Sequence, residues 1–259
     1  SITLIPIQNF TNMMKHIHLL ALLLILFHYS QAQVDTITTE NLKLKLTLPL
    51  GFRHTYVVYT TDSLAHTIAA DLWDREIKTV KQNDGTHHLQ FTWKGYLKDS
   101  LALEAQATCE LPSMQPIEYV SWQKGLGRRV RYDHRIATVD GKSRKSRRDT
   151  TYQINVGLPA FVFPMDLEIL PLLPFNQAGQ EFAIPFYKPG SPKASYYKCV
   201  VMGQEVLFLA QGIAASCWKL KLIYSEKSYA FFWISDLSRE VLKMQQPARN
   251  GYRFKVKLY

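Results

Sequence analysis

The chain has 259 residues, 47% of them hydrophobic, and a formal net charge of +10. This length suits one domain with a sizeable core, or two small halves that share one sheet. A repeat architecture is excluded, because no period of 20 to 50 residues and no low-complexity tract occurs. The basic excess either keeps the protein soluble or attracts an anionic partner.

The N-terminal region predicts a secretory signal peptide. A short basic start at residues 14–16 precedes an unbroken apolar run at residues 19–27, and small residues stand at Ser30 and Ala32. This apolar core is too short to span a bilayer. We expect cleavage between Ala32 and Gln33, with residues 1–12 as a start-site extension. Residues 33–259 then form a single domain, to which residues 33–60 add an edge segment.

Export defines the compartment and the class of partner. No cysteine lies near the predicted cleavage site, so the product should be free in the periplasm or secreted rather than lipid-anchored. A basic exported protein meets anionic membrane surfaces, lipopolysaccharide or acidic glycans, and not nucleic acid. An oxidising compartment also permits a disulfide bond, for which Cys199 and Cys217 are the nearer pair in sequence. Buried free thiols are the alternative.

Most of the chain alternates strictly between apolar and polar residues, the pattern of strands with one buried face. Such stretches include residues 42–48, 89–93, 101–109, 130–136 and 252–258. Short turn sequences such as Asn83-Asp84-Gly85 separate them. About a dozen strands joined by short turns predict a mainly β protein with an antiparallel meander.

One stretch, residues 157–187, is apolar on every side. Pro164 suits the first turn of a helix, and Leu167, Leu170 and Leu173 follow at helical spacing. Pro171 and Pro174 forbid a long helix. We therefore expect one or two helical turns between Pro164 and Phe175, packed on a sheet.

The order of these features resembles the domain-of-unknown-function family 3108 of exported bacterial proteins. The matching positions are Leu111-Pro112 with Tyr119, Val130 to Tyr132, Met165 to Phe175 with Gly179, Phe182 and Ile184, Gly203 to Val206, Phe232 to Ser235 with Val241, and Gly251-Tyr252. They extend from about Ala69 onward, whereas the Leu42 to Thr60 segment lies outside the pattern. The resemblance implies the outline of the periplasmic lipoprotein carriers: a curved antiparallel sheet, or unclosed barrel, with a short helix packed in its mouth. It implies no reaction.

Catalytic and metal-binding motifs are absent from the sequence. There is no Gly-x-Ser-x-Gly motif, no Cys-x-x-Cys motif and no His-x-x-x-His motif in the mature chain. His87 and His88 are adjacent in a predicted strand and so point to opposite faces. We expect a protein that is not an enzyme and that uses no metal and no cofactor.

An aromatic surplus is the remaining signal for function. If the half-barrel encloses a cavity, its predicted lining is Trp93, Trp122, Phe163, Leu167, Leu170, Phe175 and Trp233. The alternative is a fully packed core. The basic loop after Asp140-Gly141 is either a solvated hairpin tip or an anion-binding lip made of Lys142, Arg144, Lys145, Arg147 and Arg148.

These features predict a protein that binds or carries an apolar or amphipathic, lipid-like envelope molecule, by lifting the Pro164–Phe175 helix away from the sheet. The alternative is a structural or interaction protein of the cell envelope that adds the edge of its sheet to a partner.

Overall fold

Alternating burial runs along the strands, as the sequence pattern predicts. A computed structural model describes residues 34–42, 51, 53–142, 148–209 and 212–258. On one strand Leu89, Phe91 and Trp93 are buried, while Gln90 and Thr92 between them are partly exposed. The mainly antiparallel β class is therefore confirmed. The strand predicted over residues 42–48 lies outside the described residues beyond Leu42.

Sixteen strands occur in the described part of the chain. They are β1 (Val34–Thr36), β2 (Arg53–Thr61), β3 (Thr67–Lys81), β4 (His87–Leu97), β5 (Ser100–Glu110), β6 (Pro116–Gln123), β7 (Leu126–Asp133), β8 (Ile136–Lys142), β9 (Asp149–Asn155), β10 (Phe161–Val162), β11 (Glu181–Tyr187), β12 (Ser195–Phe208), β13 (Ala214–Ser225), β14 (Ser228–Ser235), β15 (Val241–Ala248) and β16 (Gly251–Lys257). This number exceeds the expected dozen, because short strands such as β1 and β10 leave no alternating pattern.

The strands form one sheet in the order β1-β11-β12-β13-β14-β15-β16-β2-β3-β4-β5-β6-β7-β8-β9, with β10 paired parallel to β11. The pairings from β11 to β9 in this order are antiparallel. The expected edge segment at residues 33–60 needs correction. β1 is at one end of the order, but β2 lies in the middle, because β16 returns to pair with it.

The sheet curls until its two ends approach each other. The Arg128 guanidinium on β7 donates to the carbonyl oxygen of Pro189, after β11, over 2.7 Å. The Ala194 amide donates to the Val156 carbonyl oxygen over 3.1 Å. We call this junction the seam. It makes the sheet an unclosed barrel, as expected.

The predicted helix is present in short pieces. A 3₁₀ turn at Phe163–Met165 leads into α1 (Asp166–Ile169), and a second 3₁₀ turn follows at Leu170–Leu172. Pro164 stands in the first turn of the first piece, where its missing N–H breaks no hydrogen bond. We call residues 163–175 the helical segment.

The helical segment lies inside the curled sheet and is packed. Its buried large apolar side chains are Met165, Leu167, Ile169, Leu170, Leu172, Leu173 and Phe175. At about 1.5–3 kcal/mol each, exposing these seven side chains costs on the order of 10 kcal/mol. That cost is comparable with the whole stability of a domain. It disfavours the predicted lifting of the segment, so a ligand site is better sought where the interior is open.

The three cysteines are free and buried. Cys199 lies opposite Leu222, whereas Cys217 lies opposite Glu205, so the register of β12 and β13 separates the two thiols. Of the two alternatives, the structure therefore has the buried free thiols and not the Cys199–Cys217 disulfide. Burial raises the pKa of all three thiols, which keeps them protonated at neutral pH.

Contacts place Asp35–Tyr259 in one compact unit. Within the described ranges, the helices are too short to cross a bilayer.

Candidate ligand-binding cleft

Two arginines lie on one cross-strand row of the inner face. Arg75 on β3 is opposite Trp93, which is opposite Ala105 on β5. Ser121 and then Arg128 on β7 continue the row. Trp93, Ala105 and Ser121 thus separate the two arginines along this row. The structure treats these two cations differently.

Arg75 is neutralised by the helical segment. Its Nη2 atom lies 2.6 Å from both Glu168 carboxylate oxygens, and its Nε atom donates to Oε1 over 3.0 Å. The guanidinium also lies 5.0 Å from the centre of the Trp93 ring. Burial raises the pKa of Glu168, although Arg75 opposes the rise. This ion pair fixes the segment to the sheet.

A second group of charges lies beside this pair. Asp166 on α1 and Lys255 on β16 are both buried. Burial lowers the pKa of Lys255 to about 8, although the nearby Asp166 carboxylate opposes the shift. The Lys255 ammonium also lies 5.1 Å from the centre of the Trp73 ring. Opposite charges from the segment and the wall thus meet in the packed half of the interior.

At the seam the interior is open, and a cleft of about 600 Å³ lies beside Arg128. Its lining residues are Tyr119, Ser121, Gln123, Leu126, Arg128, Lys142, Tyr152, Phe163, Pro164, Lys188, Pro189 and Gly190. Three of these side chains are cationic and none is a carboxylate. Aromatic and aliphatic side chains supply much of the remaining wall. The cleft therefore combines positive charge with apolar surface.

The loop after β11 holds Arg128 in place. The guanidinium donates to the Pro189 carbonyl oxygen, and it packs directly on the α-carbon of Gly190. A Cβ at Gly190 would collide with the guanidinium, and Gly190 also has φ +100°, which favours glycine. The positive φ favours glycine here, and any larger residue would also displace the guanidinium, so this loop is fitted to the arginine.

The apolar wall combines the sheet with the start of the helical segment. Tyr119 on β6 and Tyr152 on β9 lie on the inner face, opposite Val130 and Val139 respectively. The Phe163 ring packs edge-on against Phe186, with ring centres 5.5 Å apart. Tyr152 is 41% exposed, so the wall is accessible from solvent on the β9 side.

A shallower groove of about 480 Å³ adjoins the cleft along β9. It is lined by residues 152–155 of β9 and by residues 190–192 of the loop after β11, so it shares Tyr152 and Gly190 with the cleft. β9 is the last strand in the sheet order and is largely exposed. The groove thus follows the free edge of the sheet.

The predicted apolar lining is distributed over three environments. Phe163 lines the cleft, but Leu167, Leu170 and Phe175 belong to the packed core, with 6%, 0% and 4% exposure. The Phe175 ring lies under the Arg239 guanidinium, 3.7 Å from ring centre to carbon. Trp93 is on the inner face but beneath Arg75, outside the cleft.

Trp122 and Trp233 need correction, because strand parity places both on the outer face. Trp122 is 42% exposed, while Tyr119 and Ser121 on the same strand face inward. Trp233 is buried, but under side chains of the outer face: its indole nitrogen donates to Glu205 and the Lys219 ammonium lies over its ring. The inward residue next to it is Phe232, which is fully buried.

Among the described residues of the predicted anion-binding lip, one lines the cleft. Lys142 lines the cleft, whereas Arg148 is exposed and is not part of the lining. Arg144, Lys145 and Arg147 lie outside the described residues. The sequence interpretation missed Arg128 and Lys188. Arg128 shares the parity of the inward Val130 and Tyr132, and this signal was available in the sequence.

Within the described ranges, no three or more histidine, cysteine, aspartate or glutamate side chains are grouped so that they could hold a metal ion.

Comparison with solved structures shows similar folds at low sequence identity. A β-barrel-like protein of the DUF1849 family from Brucella abortus is 8% identical, with a TM-score of 0.44, and the alignment covers 80% of this chain and 95% of that one. A candidate exported protein with a YmcC-like fold from Bacteroides fragilis is 9% identical, with a TM-score of 0.36 and coverage of 80% and 94%. A candidate lipoprotein from Parabacteroides distasonis is 10% identical, with a TM-score of 0.32 and coverage of 86% and 98%.

Curated proteins gave no significant match. The model of the DUF3108 family, proteins of unknown function, matches residues 55–257. The match begins within β2 and so includes part of the segment that the sequence pattern left outside the family. It ends at the last residue of β16, and it covers the Arg128 strand, the helical segment and the Gly190 loop. This chain belongs to the DUF3108 family.

Proposed function

We propose that the protein binds an amphipathic anion of the cell envelope, with an acyl or aryl body and an acidic head, in the seam cleft. The observation that carries the proposal is the lining of the cleft: its described residues include Arg128, Lys142 and Lys188 and no carboxylate, next to aromatic and aliphatic side chains. An isolated positive cluster of this kind stabilises an anion through charge-assisted hydrogen bonds.

The size of the cleft suits such a ligand. A volume of about 600 Å³ lies within the usual range of small-molecule sites, roughly 300–1,000 Å³. The apolar body would lie against Tyr119, Tyr152 and Phe163, and the acidic head would lie against Arg128 and Lys188. Binding at the seam needs no movement of the helical segment.

The position of Arg128 supports its role as the anchor for the head group. One of its nitrogens donates to the Pro189 carbonyl oxygen, and no Arg128 ion pair occurs among the described residues. A bound carboxylate or phosphate would neutralise the charge of Arg128, as Glu168 neutralises the charge of Arg75. The head group would thus give the Arg128 guanidinium a charge-assisted hydrogen-bond partner.

Calorimetric titration with dodecyl phosphate, below its micelle concentration, tests the proposal. Dodecyltrimethylammonium, which has the same chain and the opposite charge, is the control ligand. We expect saturable binding of the phosphate and none of the ammonium compound. The double substitution Arg128→Gln, Lys188→Gln should weaken phosphate binding roughly 100-fold or more, because each of the two charge-assisted hydrogen bonds contributes about 1.5–3 kcal/mol.

Arg129→Gln is the matched control variant, since Arg129 is the next residue of β7 and lies on the outer face. It should bind dodecyl phosphate as tightly as the wild type. Equal binding of both ligands, or an unchanged affinity in the double variant, would contradict the proposal. Mass spectrometry of organic extracts from protein purified from a Gram-negative periplasm would then identify the natural cargo class.

The exposed edge at β9 favours a second candidate function, addition of a partner strand. β9 ends the sheet order, and the groove of about 480 Å³ runs beside it. Gln153→Pro on β9 distinguishes the two candidates, because in the alternating ladder with β8 the Gln153 amide points to the free edge, where proline removes a donor that a partner strand would need. It would abolish capture of an extended peptide partner and leave binding of dodecyl phosphate unchanged.

A further inference from the structure

On the outer side of the sheet, five neighbouring strands carry a surface of aromatic and lysine side chains, which we call the aromatic–lysine face. It consists of Lys219 and Lys221 on β13, Tyr229, Phe231 and Trp233 on β14, Lys243 on β15, Phe254 on β16 and Tyr59 on β2. The solvent face of an antiparallel sheet is ordinarily polar. Large aromatic side chains at so many outward positions therefore need an explanation.

Cross-strand register orders all of these residues except Tyr229 in two rows. In the first row Lys219 is opposite Trp233, which is opposite Lys243. In the second row Lys221 is opposite Phe231, and Phe254 is opposite Tyr59 further along. Five strands at about 4.8 Å spacing make this face roughly 19 Å wide.

The lysine ammonium groups lie over the aromatic rings. Lys221 is 4.4 Å from the centre of the Tyr229 ring, and Lys243 is 4.7 Å from the Trp233 ring. Lys219 is 4.8 Å from the Trp233 ring on the other side. The rings hold the three positive charges together on one surface.

Carboxylates are scarce on this surface. Glu205 pairs with Lys219 at 3.2 Å, and no ion pair of Lys221 or Lys243 occurs in the described part of the chain. On the outer face of β6 to β8, by contrast, the cations are paired with a carboxylate. There Glu118 pairs with Arg131 at 3.1 Å and with Arg129 at 3.6 Å. The aromatic–lysine face therefore carries an uncompensated positive charge.

Exposed apolar side chains border the aromatic–lysine face. Leu72 on β3 is 45% exposed and lies opposite Val57, in the first row. Tyr252 on β16 is 44% exposed, and its ring centre is 6.2 Å from that of Phe254. A soluble polyanion would need the lysines alone, whereas these side chains fit a partner with an apolar layer beneath its charge.

We propose that the aromatic–lysine face binds the surface of an anionic lipid bilayer. The lysines would contact lipid phosphates, and the bordering Leu72 and Tyr252 side chains would enter the interface. Aromatic rings and lysines are the side chains that favour the membrane–water boundary. The surface is distinct from the seam cleft and would hold the cleft close to the envelope molecules that it is proposed to take up.

Vesicle co-sedimentation tests this proposal, with vesicles of 70% phosphatidylcholine and 30% phosphatidylglycerol compared with pure phosphatidylcholine. We expect the wild type to bind the anionic vesicles at least ten times more tightly. The triple variant Lys219→Gln, Lys221→Gln, Lys243→Gln should lose roughly 30-fold or more in partition coefficient. The control triple variant Lys94→Gln, Arg129→Gln, Arg131→Gln changes the net charge equally and should retain most of the binding.

A second variant separates bilayer binding from simple charge attraction. Leu72→Ser, Tyr252→Ser changes no charge and alters exposed side chains, so it should fold, yet it should weaken vesicle binding several-fold. Equal losses in the two triple variants would overturn the proposal. So would an unaffected Leu72→Ser, Tyr252→Ser variant that binds heparin as tightly as vesicles. The cleft variant Arg128→Gln, Lys188→Gln should bind vesicles normally, so the two proposals can fail separately.

Discussion

Arg75 and Arg128 stand on the same inner row of one sheet, yet they have different surroundings. The helical segment covers Arg75 and supplies Glu168, so this half of the interior is packed and nearly neutral. Arg128 meets a carbonyl oxygen and an open cleft that has two further cations. The difference shows that an inner-face arginine is neutralised where the helical segment brings a carboxylate to it, and that at the seam no carboxylate of the described residues pairs with Arg128.

The largest expected effect comes from breaking the Arg75 pair. Arg75→Met leaves Glu168 buried without its partner and should lower the free energy of unfolding by about 3–5 kcal/mol. Urea denaturation measures this loss. Arg75→Met with Glu168→Gln should recover most of it. Arg131→Met, which breaks an exposed pair with Glu118, should cost about 1 kcal/mol or less. Equal losses of unfolding free energy in Arg75→Met and Arg131→Met would contradict the conclusion that the Arg75–Glu168 pair is a buried ion pair that stabilises the fold.

The buried Lys255 makes the stability of the packed half of the interior depend on pH. Its pKa falls from 10.5 in the unfolded chain to about 8 in the folded protein. The unfolded chain therefore holds more protons between these values, and the contribution of Lys255 to stability rises with pH across this window. The unfolding free energy of the wild type minus that of Lys255→Met should rise by about 3 kcal/mol from below pH 8 to above pH 10.5. A constant or falling difference would show that the ammonium is not buried at a cost.

Gly190 tests how closely the loop after β11 is fitted to Arg128. Gly190→Ala strains a backbone at φ +100° and displaces the guanidinium, so it should cost about 1–3 kcal/mol and weaken dodecyl phosphate binding. Gly179→Ala is the control, because Gly179 has φ +84° with nothing near the added Cβ. It should cost stability without changing affinity. Unchanged affinity in Gly190→Ala would show that the loop does not position Arg128.

The smallest effect on stability should come from Arg128 itself. Arg128→Gln removes a hydrogen bond to a carbonyl oxygen and leaves no carboxylate unpaired, so the loss should be about 1 kcal/mol. The same denaturation experiment as for Arg75→Met measures it. A loss of unfolding free energy as large as that of Arg75→Met would contradict the difference proposed between the two halves of the interior.

Much of the fold could be predicted from local pattern. Alternation at Leu89, Phe91 and Trp93 indicated a strand with one buried face, and the hairpin between β3 and β4 follows from Asn83-Asp84-Gly85. Parity would also have placed Arg128 with Val130, although the sequence interpretation missed it. The same rule could not say that Trp122 and Trp233 face outward, because parity groups residues on a face without telling which face is covered.

The candidate site depended on contacts between distant parts of the chain. Arg128, Tyr152, Phe163 and Lys188 meet only because the sheet curls and its ends approach at the seam. The register of β12 and β13, which shifts between Val201 and Gly203, decided that Cys199 and Cys217 stay apart. Such contacts join residues that lie far apart in the chain, and no local periodicity carries information about them.

The sequence by itself determined the antiparallel β class, the short helical segment between prolines and the basic charge, because each depends on neighbouring residues or on composition. Only the tertiary structure decided which cations are neutralised, which aromatic side chains are buried and where the interior stays open. Those properties depend on the curvature of the whole sheet and on what the helical segment covers.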